Sequence, residues 1–192
     1  ELATVLHHDY GHEVSNVGRE VFGIVDSANQ LFRGNVAGLQ PDVVVVSFSM
    51  GHERLATTQA EAAAKIIGEL FVESIRTIVT LTIAIGALPV VCESYPHNQL
   101  NTMQYTVLKE TNRHLEALGV PILSMLAAVD DGAGRWKEGL SHDAAHPNAA
   151  GHHKMFTGFD HSTAKIFAPE QTEANRGTWK SECAPLARTV GA

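Results

Sequence analysis

The segment Ser141-His142-Asp143-Ala144-Ala145-His146-Pro147-Asn148-Ala149-Ala150-Gly151-His152 sets a carboxylate and an imidazole three residues apart. An Asp that accepts from one imidazole nitrogen fixes the tautomer and leaves the other nitrogen to take a proton from a nucleophile. That is the orienter and base of a hydrolytic triad. Pro147 has a fixed φ near the helical value and no amide proton to satisfy, so it suits the first turn of a helix running on through Met155 and Phe156. His146 then stands on the loop ahead of that helix, where a rigid element can hold a proton-transfer group. The bare spacing is weak by itself, because the chain carries 11 His among 192 residues. His142, His146, His152 and His153 with Asp143 are also a candidate metal-binding module, since His142 and His146 would share a face on a helix. Pro147 opposes that arrangement, because the residue before a proline is pushed toward extended backbone.

A second nucleophilic arrangement is Ser47-Phe48-Ser49-Met50-Gly51, which nearly fits the Gly-x-Ser-x-Gly elbow. Ser49 would attack, with Asp130 or Asp143 as the acid and His146 or His152 as the base. Ser47 replaces the first glycine and would crowd the sharp turn, and the elbow needs a helix immediately after it. Cys92 and Cys183 are too few for a disulfide framework and show no metal-ligand spacing.

These residues need elements to position them. With 192 residues, 44% of them hydrophobic, the chain can bury a full core within one domain. We read residues 1–168 as that domain and 169–192 as a tail or linker, where apolar residues thin out. A net charge of -7 disfavours nucleic acid and anionic membrane as partners, since no basic cluster exists to neutralise phosphates. Residues 12–16 read as a short strand and 21–39 as a glycine-interrupted helical segment. Residues 43–48 open on four consecutive β-branched valines, the mark of a strand buried on both faces. A long helix follows from about residue 58 to 78 or beyond, with Ala62, Ile66, Leu70 and Glu73 recurring near one turn apart. The uncharged run 77–92 contains Pro89 and falls short of the roughly 20 apolar residues of a spanning helix. It reads instead as the end of that helix and then a buried strand, 88–92. A helix at 102–118 stopped by Gly119, a strand at 120–125 and a helix at 148–159 complete the series. Such alternation implies a three-layer α/β/α sandwich with a parallel sheet, its site beyond the carboxyl ends of the strands.

The longer string from Asp143 through His146, Pro147 and Asn148 to Gly151 and His152 resembles the last sequence block of the SGNH hydrolases, the GDSL-type esterases and lipases. In that block the Asp and His are triad members, and the resemblance covers roughly residues 14–159. Asn16-Val17-Gly18, followed by Gly23, is similar to the second block, Asn-x-Gly-x-x-Gly, which supplies a backbone N–H to the oxyanion hole. Gly23 stands five residues past Gly18 where the usual spacing is three, so either glycine fits that part. Taken by chemistry alone, both are turn residues that tolerate positive φ. Ser47-Phe48-Ser49-Met50-Gly51-His52-Glu53 resembles the third block and puts His52 where the family has its oxyanion Asn. An imidazole donates one hydrogen bond there, with a different reach. Cys92-Glu93-Ser94-Tyr95-Pro96 resembles a Tyr-Pro loop that lines the site in one branch. The stretch from Asp130-Asp131-Gly132 to Trp136 resembles a segment of the same branch; its plain reading is a turn, with Trp136 as half-buried packing or a substrate-stacking wall.

The resemblance implies an SGNH/flavodoxin-like fold and hydrolysis of carboxylic esters by a Ser nucleophile. Asp143 and His146 are the catalytic pair, with Gly18, Gly23 and His52 as oxyanion candidates. Substrates are small-molecule or carbohydrate esters, and no metal or organic cofactor is required. SGNH enzymes open on a strand ending Gly-Asp-Ser, a string absent from this sequence, and residues 1–8 read as the tail of a first helix. The expectation is a domain lacking its first strand, with the nucleophile upstream. The departures at His52 and at the Ser leave open a folded pseudoenzyme that keeps a carbohydrate- or partner-binding groove.

Overall fold

The computed structural model describes residues 6–8, 11–18, 32–51 and 53–158. Three parallel strands, β1 (Val43–Val46), β2 (Leu88–Cys92) and β3 (Ile122–Leu123), lie side by side in that order. Val43 pairs with Leu88, Val46 with Val91, and Val91 in turn with Ile122. Among the described residues the longer helical elements are α1 (Glu61–Ala84), α2 (Thr102–Glu116) and α4 (Ala149–Gly158), with a single turn, α3 (Leu126–Val129), between α2 and α4.

Every residue of β2 is buried, and period-2 alternation sends its side chains into two separate cores. Val91 joins Phe71, Ile75, Leu108 and Leu115 beneath α1 and α2. Leu88, Val90 and Cys92 join Leu123, Val129, Trp136 and Met155 on the other face. Apolar layers on both faces of a parallel sheet make the α/β/α sandwich expected from the alternating pattern.

β1 departs from expectation. Only Val46 is buried, and Val45 is 36% exposed, because β1 is the outermost strand among the described residues. Residues 12–16 form no strand; 11–18 is irregular, turned back by Gly11 N–H donating to the His7 carbonyl and His12 N–H to that of Leu6. Between 21 and 39, the described part is a π turn (Phe32–Val36) running into a 3-10 turn (Ala37–Leu39). The rest of that stretch, Phe159 and 169–192 lie outside the described residues.

α1 runs on past residue 78, as the sequence allowed, but is rotated. The stripe at Ile66 and Leu70 faces solvent, with those side chains 53% and 50% exposed. Ala64, Gly68, Phe71, Ile75, Ile78 and Val79 are buried instead. Both stripes have helical period; the bulkier aromatic and β-branched set took the core. Gly68 fixes the choice, since a Cβ there would come within 2.6 Å of Thr111 Oγ1 on α2. α2 starts on a capping box: Asn101 Oδ1 accepts from Gln104 N–H (2.9 Å) and Gln104 Oε1 from Asn101 N–H (2.8 Å).

Candidate active site

The segments after all three strands meet at the carboxyl end of the sheet, and the last of them, which passes through α3 and on to residue 148, carries Asp143 and His146. His146 Nδ1 lies 2.9 Å from Asp143 Oδ2 and 3.1 Å from Oδ1. Asp143 Oδ1 also accepts from the backbone N–H of Ala145 (2.7 Å) and His146 (2.8 Å). One carboxylate therefore closes the turn and orients the ring it presents. The His146 hydrogen bond, then those two amides, hold its carboxyl well below the usual range. With Nδ1 engaged by Asp143, Nε2 is the nitrogen that can exchange a proton with another group.

The turn is braced from both sides. His142 N–H donates to the His146 carbonyl (2.8 Å), and Pro147 bridges Ser141 in antiparallel fashion. Pro147 thus belongs to the bridge and not to the first helical turn, which begins at Ala149. Asn148 takes the capping position: its Oδ1 accepts from Gly151 N–H (2.9 Å), while its Nδ2 donates to the Gly139 carbonyl (2.8 Å). Gly151 is needed where it stands, because a Cβ would come within 2.1 Å of the Leu140 carbonyl oxygen.

Upstream, buried Asp130 accepts from the Tyr105 hydroxyl (2.5 Å) and from Gly134 N–H (2.9 Å). Gly134 has φ +86°, and a Cβ there would run into the Tyr105 ring. Asp131 Oδ1 accepts from Ala133 N–H (2.8 Å), so the Asp-Asp-Gly string is a turn. Trp136 is fully packed against Tyr95, ring centroids 5.3 Å apart, and is not a wall open to substrate.

Sequence reasoning did not assign individual roles to the residues that follow β2. Ser94 is wholly buried; its Oγ accepts from Met50 N–H (3.0 Å), its N–H donates to Asn112 Oδ1 and its carbonyl accepts from Asn112 Nδ2 (both 2.9 Å). Buried Glu93 accepts from Leu126 N–H (3.0 Å) and so ties the end of β2 to α3; burial raises its pKa. His97 N–H donates to the Gly134 carbonyl (3.1 Å), Asn98 N–H to the Ala144 carbonyl (2.8 Å), and Asn98 Oδ1 accepts from Trp136 N–H (3.0 Å). The available signal was a polar cluster directly after an all-apolar strand, at the point where a parallel sheet presents its ligands.

Ser49 sits in the neighbouring loop. Its Oγ accepts from Gly51 N–H (3.1 Å). Met50 begins a turn and then a 3-10 turn (Leu55–Thr57), so the helix a nucleophile elbow requires does not follow Ser49. Asp130 is occupied by Tyr105 and Gly134. Burial pushes the Cys92 thiol up to about 12, which removes it as a nucleophile at neutral pH.

Gly18 N–H donates to Asn16 Oδ1 (3.0 Å), in a shallow recess bordered by Ser15, Gly34, Asn35 and Leu39. Gly23 and His52 lie outside the described residues. Among the described residues no three His, Cys, Asp or Glu side chains stand close enough to hold a metal ion, so the His142, His146, His152, His153 module is not assembled. Nor, among them, is any helix long and apolar enough to cross a membrane.

No curated protein matches the chain. Its sequence does match a family across residues 1–154, which takes in all three strands, the Asp143–His146 turn and the start of α4. A parallel α/β sheet with an Asp-oriented imidazole at its carboxyl end is in keeping with that match, and the chain belongs to the GDSL-like lipase/acylhydrolase family.

Proposed function

We propose that this chain belongs to a serine esterase that hydrolyses carboxylic esters of small molecules or carbohydrates through an acyl-enzyme. The carrying observation is the Asp143–His146 pair, 2.9 Å apart at the carboxyl end of the sheet. His146 Nε2 takes the proton of an attacking Ser and returns it to the leaving alcohol, while Asp143 fixes the tautomer. A backbone N–H of Gly18 or Gly23 and the ring of His52 are the oxyanion donors in this reading.

The Ser is placed upstream of residue 1, on a strand that pairs with the outer edge of β1. A groove of about 410 Å³ is lined by Val43, Val44 and Val45 together with His12, Val14 and Val17. A strand pairing there in parallel with β1 would end at the same edge of the sheet as Ser49 and Tyr95.

The test is p-nitrophenyl acetate hydrolysis by this chain and by a version extended with its upstream coding sequence, each beside His146→Ala. Turnover in the extended version alone, lost in His146→Ala, is the expected result. Turnover in the present chain that depends on His146 and on Ser49 would move the nucleophile to Ser49. No turnover in either would turn the reading to a pseudoenzyme.

A further inference from the structure

His97 has no part in the triad, yet its surroundings define both its tautomer and its direction. Gln99 N–H donates to His97 Nδ1 (3.2 Å). A backbone amide can only donate, so Nδ1 holds a lone pair and the proton of the neutral ring is on Nε2. The Cδ2 edge, next to Nε2, leans on the loop after β1, 3.5 Å from where a Cβ of Gly51 would stand. The backbone is tied down on both sides, His97 N–H to Gly134 and Asn98 N–H to Ala144, the latter beside Asp143. Half-burial lowers the ring's pKa; the Asp143 carboxylate acts against that and His146 with it, so the two rings and the carboxylate share one electrostatic neighbourhood. The result is a fixed, neutral donor between the β1 loop and the His146 turn, with Nε2 unpaired among the described residues.

We propose that His97 is a substrate-binding residue whose Nε2–H donates to an oxygen of the ester held beside His146. The assignment rests on the esterase reading for the identity of that ligand. Its geometry is independent of where the nucleophile lies. A donor fixed before substrate arrives needs no reorganisation when it is used, which is the condition under which one hydrogen bond has a large effect.

Two variants isolate the donor. His97→Phe and His97→Gln both lose the Nδ1 acceptor, but only Gln carries an N–H at about the reach of Nε2. In the form of the protein that hydrolyses p-nitrophenyl acetate, His97→Phe is expected to lower kcat/KM about tenfold or more and His97→Gln to stay within about threefold of wild type. Equal losses in the two folded variants, or none in His97→Phe, would overturn the assignment. Nitrogen-15 spectra of the His97 ring, recorded with and without sodium acetate, give a readout free of turnover. A protonated Nε2 whose resonance moves with acetate supports the proposal, whereas a protonated Nδ1 or an indifferent ring overturns it. Failure of the esterase reading would show separately, as hydrolysis insensitive to His146→Ala or absent, with the spectra still deciding for or against His97.

Discussion

Asp143 does two jobs with one carboxylate, and they respond differently to substitution. Oδ1 closes the turn on the amides of Ala145 and His146, whereas the bond to Nδ1 sets which ring nitrogen carries the proton. Asn can keep the first task but offers N–H to Nδ1 and so favours the opposite tautomer. Asp143→Asn is therefore expected to melt close to wild type while losing hydrolysis by about 100-fold to 10,000-fold, measured as kcat on p-nitrophenyl acetate. Because its pKa is depressed, the stability Asp143 contributes is present above the ordinary carboxylate range and is lost progressively as pH falls below that range. Glu93 has the opposite sign. Its folded pKa is raised, so the folded state holds the proton more tightly than the unfolded chain, and stability is lost as pH rises through the folded value. Relative to Glu93→Gln, wild type should lose ground in thermal melts as pH rises above about 4, whatever the constant offset of the substitution; a flat difference would refute it. The Asp143–His146 pair was legible because its partners are three residues apart. Ser94 with Met50, Asn98 with Ala144 and His97 with Gly134 are contacts between distant segments, and no local spacing announces them.

The elements were legible in kind and order, less so in which face they bury. α1 shows why: periodicity marks a stripe of apolar residues, and this helix has two, so the partner helix decides. Phe71→Ala should cost about 3–5 kcal/mol in denaturant unfolding, while Leu70→Ala, on the solvent side, should stay within about 0.5 kcal/mol. The reverse order would mean that the helix is turned the other way. At the other end of the domain, α4 starts against the Leu140 carbonyl, and its capping Asn148 is two residues from His146. Gly151→Ala pushes a methyl into that carbonyl and must lift the helix start. The expected outcome is a loss of about 1–3 kcal/mol together with a larger fall in hydrolysis than stability alone explains. Pro147 was read into that helix because φ near -65° suits a first turn; the same φ suits the extended bridge to Ser141, and composition does not separate the two.

At the scale of the molecule, alternating strands and helices predicted a sandwich with apolar layers on both faces, and β2 has both. The continuous valine run of β1 pointed to the same environment, but Val45 is exposed and a groove follows its outer edge. Among the described residues no strand pairs with the other edge of β1, and such an edge can take a further strand. The Leu88 N–H donates to the Asp42 carbonyl, and successive residues of a strand turn their backbone groups to opposite sides. Residues 42 and 44 therefore face β2, whereas 43 and 45 face the groove. Val45→Pro removes a groove-facing N–H without removing a β1–β2 bond, the one position class where a strand tolerates proline. Extension with the upstream coding sequence should raise the melting temperature and supply His146-dependent hydrolysis. Val45→Pro should leave the present chain nearly unchanged and cancel most of the gain in the extended one. If the extended chain keeps its full gain with Pro at 45, the upstream segment docks elsewhere and the nucleophile does not arrive along β1.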